Sequence, residues 1–103
     1  MKLLKDFRGR DVRLTDERLA HILEHPEMAR LESALQETLQ QPALVIQSRT
    51  DATAELNYRY YFGTTVGDKW LCVVVKYGRA DAFVLTAYLT DKPKKGEQLW
   101  PTK

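Results

Sequence analysis

The sequence predicts an α+β domain: two amino-terminal helices packed on one face of a four-stranded antiparallel β-sheet, connected as a meander. Three observations lead there. Apolar residues recur at helical spacing between positions 16 and 40, and β-branched and aromatic residues fill four short runs after position 43. The breaks between those runs are short and rich in turn-forming residues, which favours antiparallel neighbours.

Residues 1–14 mix apolar and basic positions. Gly9 marks a turn, and Val12 and Leu14 alternate with Asp11 and Arg13 as in a short strand or an extended lead-in. Thr15 is the helix N-cap that follows, its hydroxyl facing the free amides of the next turn, with Asp16 and Glu17 near the positive end of the dipole. The first helix runs from Asp16 to Glu24 and buries Leu19, Ile22 and Leu23. Pro26 cannot continue a helix interior but suits the first position of a new helix, which extends to about Gln40. Its stripe is Met28, Leu31, Leu35 and Leu39, and Pro42 stops it.

The four strands are expected at Ala43–Arg49, Glu55–Phe62, Lys69–Tyr77 and Ala82–Thr90, separated by turns at Thr50–Ala54, Gly63–Asp68 and Gly78–Asp81. In the last strand Phe83, Leu85, Ala87 and Leu89 read as the core face, opposite Val84, Thr86, Tyr88 and Thr90. The second strand has aromatics on both sides, so its faces stay unassigned. One face of the sheet is expected under the helices and the other partly open.

The chain has 103 residues, 44% hydrophobic and 29% charged, values of a single globular domain spanning 1–103 without a repeat or linker. Its longest apolar run, Leu71–Val75, is too short to span a bilayer and no signal-peptide pattern opens the chain, so a cytoplasmic protein without a membrane partner is expected. A formal net charge of +2 permits nucleic-acid binding without requiring it. Lys92, Lys94, Lys95 and Lys103 form either a solvated polar tail or a phosphate contact. The lone Cys72 excludes an internal disulfide and reads as a small core residue, and one cysteine with two distant histidines offers no recognised metal spacing.

The chemistry-bearing feature is His21-Ile22-Leu23-Glu24-His25-Pro26-Glu27. Histidines four residues apart share one helix face, and the wheel places them with Arg18 on a flank away from the buried stripe. An ordinary imidazole titrates near pH ~6.5, so two of them form a candidate proton donor and acceptor. The alternative roles are structural: His25 as an N-cap, and His21 as a partner of Glu17 one turn earlier. Lys76 ends a valine-rich strand and either snorkels to solvent or stands beside Thr86, depending on hairpin register.

Taken in order, Leu14-Thr15-Asp16-Glu17-Arg18, His21-Ile22, His25-Pro26-Glu27, Glu37-Thr38-Leu39, Pro42, Tyr60-Tyr61, Val73-Val74-Val75-Lys76, Phe83-Val84-Leu85-Thr86-Ala87-Tyr88 and Lys95-Gly96-Glu97-Gln98-Leu99-Trp100 span nearly the whole chain. This pattern resembles the small phage- and toxin-associated domains of the barnase/EndoU/colicin/RelE-like (BECR-fold) ribonuclease superfamily. The resemblance implies metal-independent RNA cleavage without a cofactor, by 2′-hydroxyl attack on phosphorus to leave a 2′,3′-cyclic phosphate. It implies His21 and His25 as proton-transfer groups, Lys76 and Arg49 as phosphate clamps, and Thr86 and Tyr60 as hydrogen-bond donors to phosphate or ribose. Arg18 joins the substrate contacts. Tyr58, Tyr61, Tyr88 and Trp70 are either base-stacking groups or core. The implied partners are RNA, such as tRNA or mRNA, and a cognate antitoxin or immunity protein over the open sheet face. The competing expectation is a non-catalytic protein-interaction module, or a phage or mobile-element component, on the same fold.

Overall fold

The computed structural model describes residues 1–102; Lys103, one of the carboxyl-terminal cations, lies outside the described residues. In chain order the elements are β1 (Lys2–Lys5), β2 (Asp11–Leu14), α1 (Asp16–Leu23), a 3-10 turn (Pro26–Met28), α2 (Glu32–Gln40), β3 (Leu44–Gln47), β4 (Ala54–Thr64), β5 (Gly67–Tyr77), β6 (Ala82–Thr90) and β7 (Gln98–Trp100). The strands form one seven-stranded sheet in the order β1-β2-β6-β5-β4-β3-β7.

The expected four-stranded antiparallel meander is therefore corrected to a seven-stranded mixed sheet. β1 and β2 pair as an antiparallel hairpin, β2 joins β6 in parallel at Arg13 and Phe83, and β7 pairs antiparallel with β3. β1 and β7 are too short for a clear alternating pattern; β1 closes a local hairpin with β2, while β2 and β7 acquire β6 and β3 through long-range contacts. Asp6 secures the first hairpin to the rest. Its buried carboxylate accepts from the backbone N–H groups of Arg8 (2.9 Å) and Arg10 (2.8 Å), from Arg10 Nε (3.1 Å) and from the Tyr77 hydroxyl of β5 (2.7 Å).

α1 begins as its sequence demands. The Thr15 hydroxyl accepts from the Arg18 N–H at 3.1 Å, and Ile22 is buried below it. The expected second helix is divided. Pro26–Met28 closes with i→i+3 hydrogen bonding, then a fresh helix starts at Glu32 without a side-chain cap and is held by Leu35 and Leu39 in the core.

Two apolar clusters occupy opposite sides of the sheet. Under the helices lie Val12, Leu14, Ile22, Met28, Leu35, Leu39, Leu71, Val73, Val75, Val84 and Ala87. On the other side lie Ile46, Leu56, Tyr58, Cys72 and Val74, packed with Trp70, Leu85 and Tyr88. The expected core face of the last strand is corrected by a bulge. Val75 faces Val84 and Val74 faces Thr86, so Leu85 is the extra residue and the alternation reverses there. Ala82 and Val84 before it, and Ala87 and Leu89 after it, face the helices; Leu85 and Tyr88 belong to the opposite side.

That second face is partly roofed by the segment between β6 and β7. Lys94 donates its backbone N–H to the Tyr58 hydroxyl at 3.0 Å, and Gln47 donates its N–H to the Glu97 carbonyl at 2.8 Å. Gly96 permits this approach: a Cβ there would lie 2.6 Å from both the Gln47 carbonyl oxygen and Ile46 Cγ2.

Burial opposes ionisation of Asp6, but the hydrogen bond from Tyr77, those from the Arg10 and Arg8 amides and the Arg10 charge together hold its carboxyl below the ordinary 3.8. A folded-state pKa below the unfolded value contributes stability that is complete above about pH 4 and lost as pH falls through the folded pKa. Asp6→Asn should cost about 2–4 kcal/mol in urea denaturation at pH 7 and flatten the loss of stability between about pH 4 and pH 2.

Candidate functional site

His21 lies in the last turn of α1 and His25 is the residue that caps the 3-10 turn. Their side chains are 61% and 62% exposed, so neither belongs to the core. The rings meet edge to face with centroids 6.3 Å apart. Each has its own carboxylate: Glu24 lies 3.7 Å from His21 Nδ1 and Glu27 lies 3.7 Å from His25 Nδ1. The structural alternatives are met only in part: His25 occupies the N-cap position. His25 makes no side-chain capping bond, and the carboxylate beside His21 is Glu24 rather than Glu17.

Arg18, one turn before His21, connects this pair to the sheet. A depression of about 620 Å³ is lined by Thr15, Glu17, Arg18, Ala20, His21 and Glu24. A smaller one of about 150 Å³ is lined by Arg13, Thr15, Arg18, Phe83 and Val84. Thr15 and Arg18 border both, so the two depressions adjoin as one groove along the flank of α1, which His21 lines and His25 does not. Arg13 is bound to Asp81, with Nε to Oδ1 at 2.8 Å, while Arg18 is in no ion pair among the described residues. Arg18 is thus the free cation of the groove.

Lys76 and Thr86 stand elsewhere. Lys76 faces Phe83 and Ala54 in register, Thr86 faces Val74, and both side chains project from the sheet face opposite the helices. The two therefore share a face, but the Lys76 ammonium is held 3.1 Å from Asp51 Oδ2. Hydrogen bonds from the Thr53 hydroxyl and Thr53 N–H, joined by Lys76, bring the Asp51 carboxyl down to about 2. Arg49 is exposed in the same β3–β4 connection. The sheet separates Lys76 and Thr86 from the imidazoles.

The tyrosines divide by register. Tyr61 faces the helices, donating to Glu37 Oε1 at 2.6 Å beside Thr38, and burial with the Glu37 contact pushes its hydroxyl up to about 12. Tyr58 is fully buried on the other side, and burial pushes its hydroxyl up to about 12 and the neighbouring Cys72 thiol up to about 11. The Tyr88 hydroxyl is buried beside them and shifted upward by the same desolvation. Tyr60 alone of the four is exposed, with its ring 5.1 Å from Phe62 and 5.2 Å from Trp70. Phe62 escaped the sequence reading; its signal was an aromatic on an alternating strand directly before the Gly63 turn.

No family model, curated protein or solved structure matches this chain. Among the described residues, no group of three His, Cys, Asp or Glu side chains is arranged to hold a metal ion. No described helix is long and apolar enough to cross a membrane.

What the α1 flank can do follows from its groups. Two imidazoles this close can both reach one phosphoryl group through hydrogen bonds of ~2.8 Å, one as donor and one as acceptor, with a guanidinium alongside for negative charge. Tyr58 is a packing residue by contrast: Tyr58→Ala should lower stability by about 3–5 kcal/mol in thermal or urea unfolding, leaving the His21 and His25 imidazole resonances in place in the folded fraction.

Proposed function

We propose that this chain is a metal-independent endoribonuclease of the toxin type, acting in the cytoplasm, with its reacting centre on the α1 flank. The observation that carries the reading is the exposed His21–His25 pair, rings 6.3 Å apart, of which His21 lines the groove that holds the free Arg18. The resemblance of the His-Pro-Glu and Thr-Ala-Tyr segments to the BECR-fold ribonucleases supports it.

One imidazole, neutral, takes the proton from a ribose 2′-hydroxyl. The freed oxygen attacks the adjacent phosphorus, and Arg18 balances the charge that grows on the phosphorane oxygens. The other imidazole, protonated, gives its proton to the departing 5′-oxygen, leaving a 2′,3′-cyclic phosphate and a 5′-hydroxyl. Lys76, committed to Asp51 on the far side of the sheet, takes no part in this step. An antitoxin or immunity protein silences such a site by filling the groove along α1.

Purified protein incubated with total RNA in EDTA should leave fragments with cyclic-phosphate ends. His21→Ala and His25→Ala should each reduce cleavage by about 100-fold or more, whereas Lys76→Ala should stay within a few-fold of the parent. Parental cleavage by both histidine variants sinks the assignment, and loss of cleavage only in Lys76→Ala moves the reacting centre to the opposite face.

A further inference from the structure

The sheet face opposite the helices carries an aromatic group that the proposed chemistry does not use. Tyr60, Phe62 and Trp70 sit on the same side of β4 and β5, Tyr60 meeting Phe62 and Trp70 edge to face at 5.1 and 5.2 Å between centroids. Phe62 is 80% exposed and Tyr60 38%, far beyond what a strand needs for its own packing. Trp70 is anchored from below, its ring 6.4 Å from that of buried Tyr58. The row is thus rigid at one end and open at the other.

A lysine-bearing segment borders this row. Trp70 lies opposite Thr90, whose hydroxyl donates to the Lys92 carbonyl at 3.2 Å, and Lys94 crosses at Tyr58 through its backbone N–H. Neither lysine is in an ion pair among the described residues. The nearby acids are already engaged: Asp91 with Lys69, and Asp68 as acceptor of the Gly63 N–H at 2.8 Å. Exposed ring faces next to a segment that carries exposed lysines match the chemistry of unpaired bases on a phosphate backbone.

We infer that Tyr60, Phe62 and Trp70, flanked by Lys92 and Lys94, form a stacking surface for single-stranded nucleic acid, separate from the α1 groove. This deepens the ribonuclease reading and rests on it for the choice of RNA, naming unpaired RNA as the substrate class. Beyond Phe83 no described strand pairs with the outer side of β6, the edge against which α1 packs. A duplex cannot lay its bases on the rings.

The test uses the cleavage-deficient His21→Ala/His25→Ala chain and a fluorescein-labelled oligouridine 12-mer, read by anisotropy. The expected result is binding that Phe62→Ala and Tyr60→Ala each weaken about tenfold, with no comparable binding of a blunt RNA duplex. Lys92→Ala/Lys94→Ala should reduce the slope of log affinity against log salt by about 0.7 for each lysine. Phe62 is exposed, so its replacement leaves the thermal melt unchanged. Equal affinity with and without the rings overturns the inference even if cleavage is intact, whereas ring-dependent binding with no cleavage by the parent chain keeps the surface and removes the nuclease. Loss of self-association in Phe62→Ala, without oligouridine binding, overturns it in favour of a contact between copies.

Discussion

The constraint on which the structure depends is a strand that is apolar on both faces. Leu71, Cys72, Val73, Val74 and Val75 of β5 are all buried, and alternation sends Leu71, Val73 and Val75 to one side and Cys72 and Val74 to the other. Each such side chain contributes about 1.5–3 kcal/mol only when its own side is covered. The helices cover one side with Ile22, Met28, Leu35 and Leu39. Tyr58, Trp70, Leu85 and Tyr88, roofed in part by the segment that leads to β7, cover the other. The demand for a second cover is why residues that could stack on bases or donate to phosphate are spent on packing: Tyr58 and Tyr88 enclose Cys72, and Tyr61 ties α2 to the sheet.

The first helix, the latter part of the second and the long strands were legible because their signals are local. Thr15 before Asp16 and Glu17, and the spacing of Leu35 and Leu39, need no knowledge of the rest of the chain. The architecture was not legible, because it turns on partners far apart in sequence. Asp6 finds Tyr77 across 71 positions, β7 finds β3 through a close approach that only Gly96 allows, and the bulge at Leu85 reverses the face pattern halfway along β6. A period-two reading has no means of locating an extra residue.

The candidate site divides in the same way. The helical wheel set His21, His25 and Arg18 on one helix flank, but α1 ends at Leu23 and His25 has extended backbone, so its exposed imidazole lies beside the helix rather than on it. Lys76 drew attention as a cation at the end of an apolar strand, yet its ion pair with Asp51 spans 25 positions and carries no sequence signal. The aromatics of β4 were ambiguous for a physical reason: Tyr58, Tyr60 and Tyr61 all have high β-propensity, and only register decides which are buried, bonded or exposed.

Two surfaces result, with the sheet between them: a groove lined by one imidazole and one free guanidinium with the second imidazole beside it, and an aromatic row edged by a lysine-bearing segment. Placing the chemistry at the first is the central claim. It is tested most directly by titrating the protein with an RNA oligonucleotide carrying a single 2′-deoxy substitution at the cleavage site found by end-mapping, so that attack cannot occur, while following side-chain resonances by NMR. The account predicts that the His21 and His25 ring protons and the Arg18 guanidinium move together with one binding curve, while the Lys76 ammonium stays fixed. Movement of Lys76 with the imidazoles stationary would contradict it.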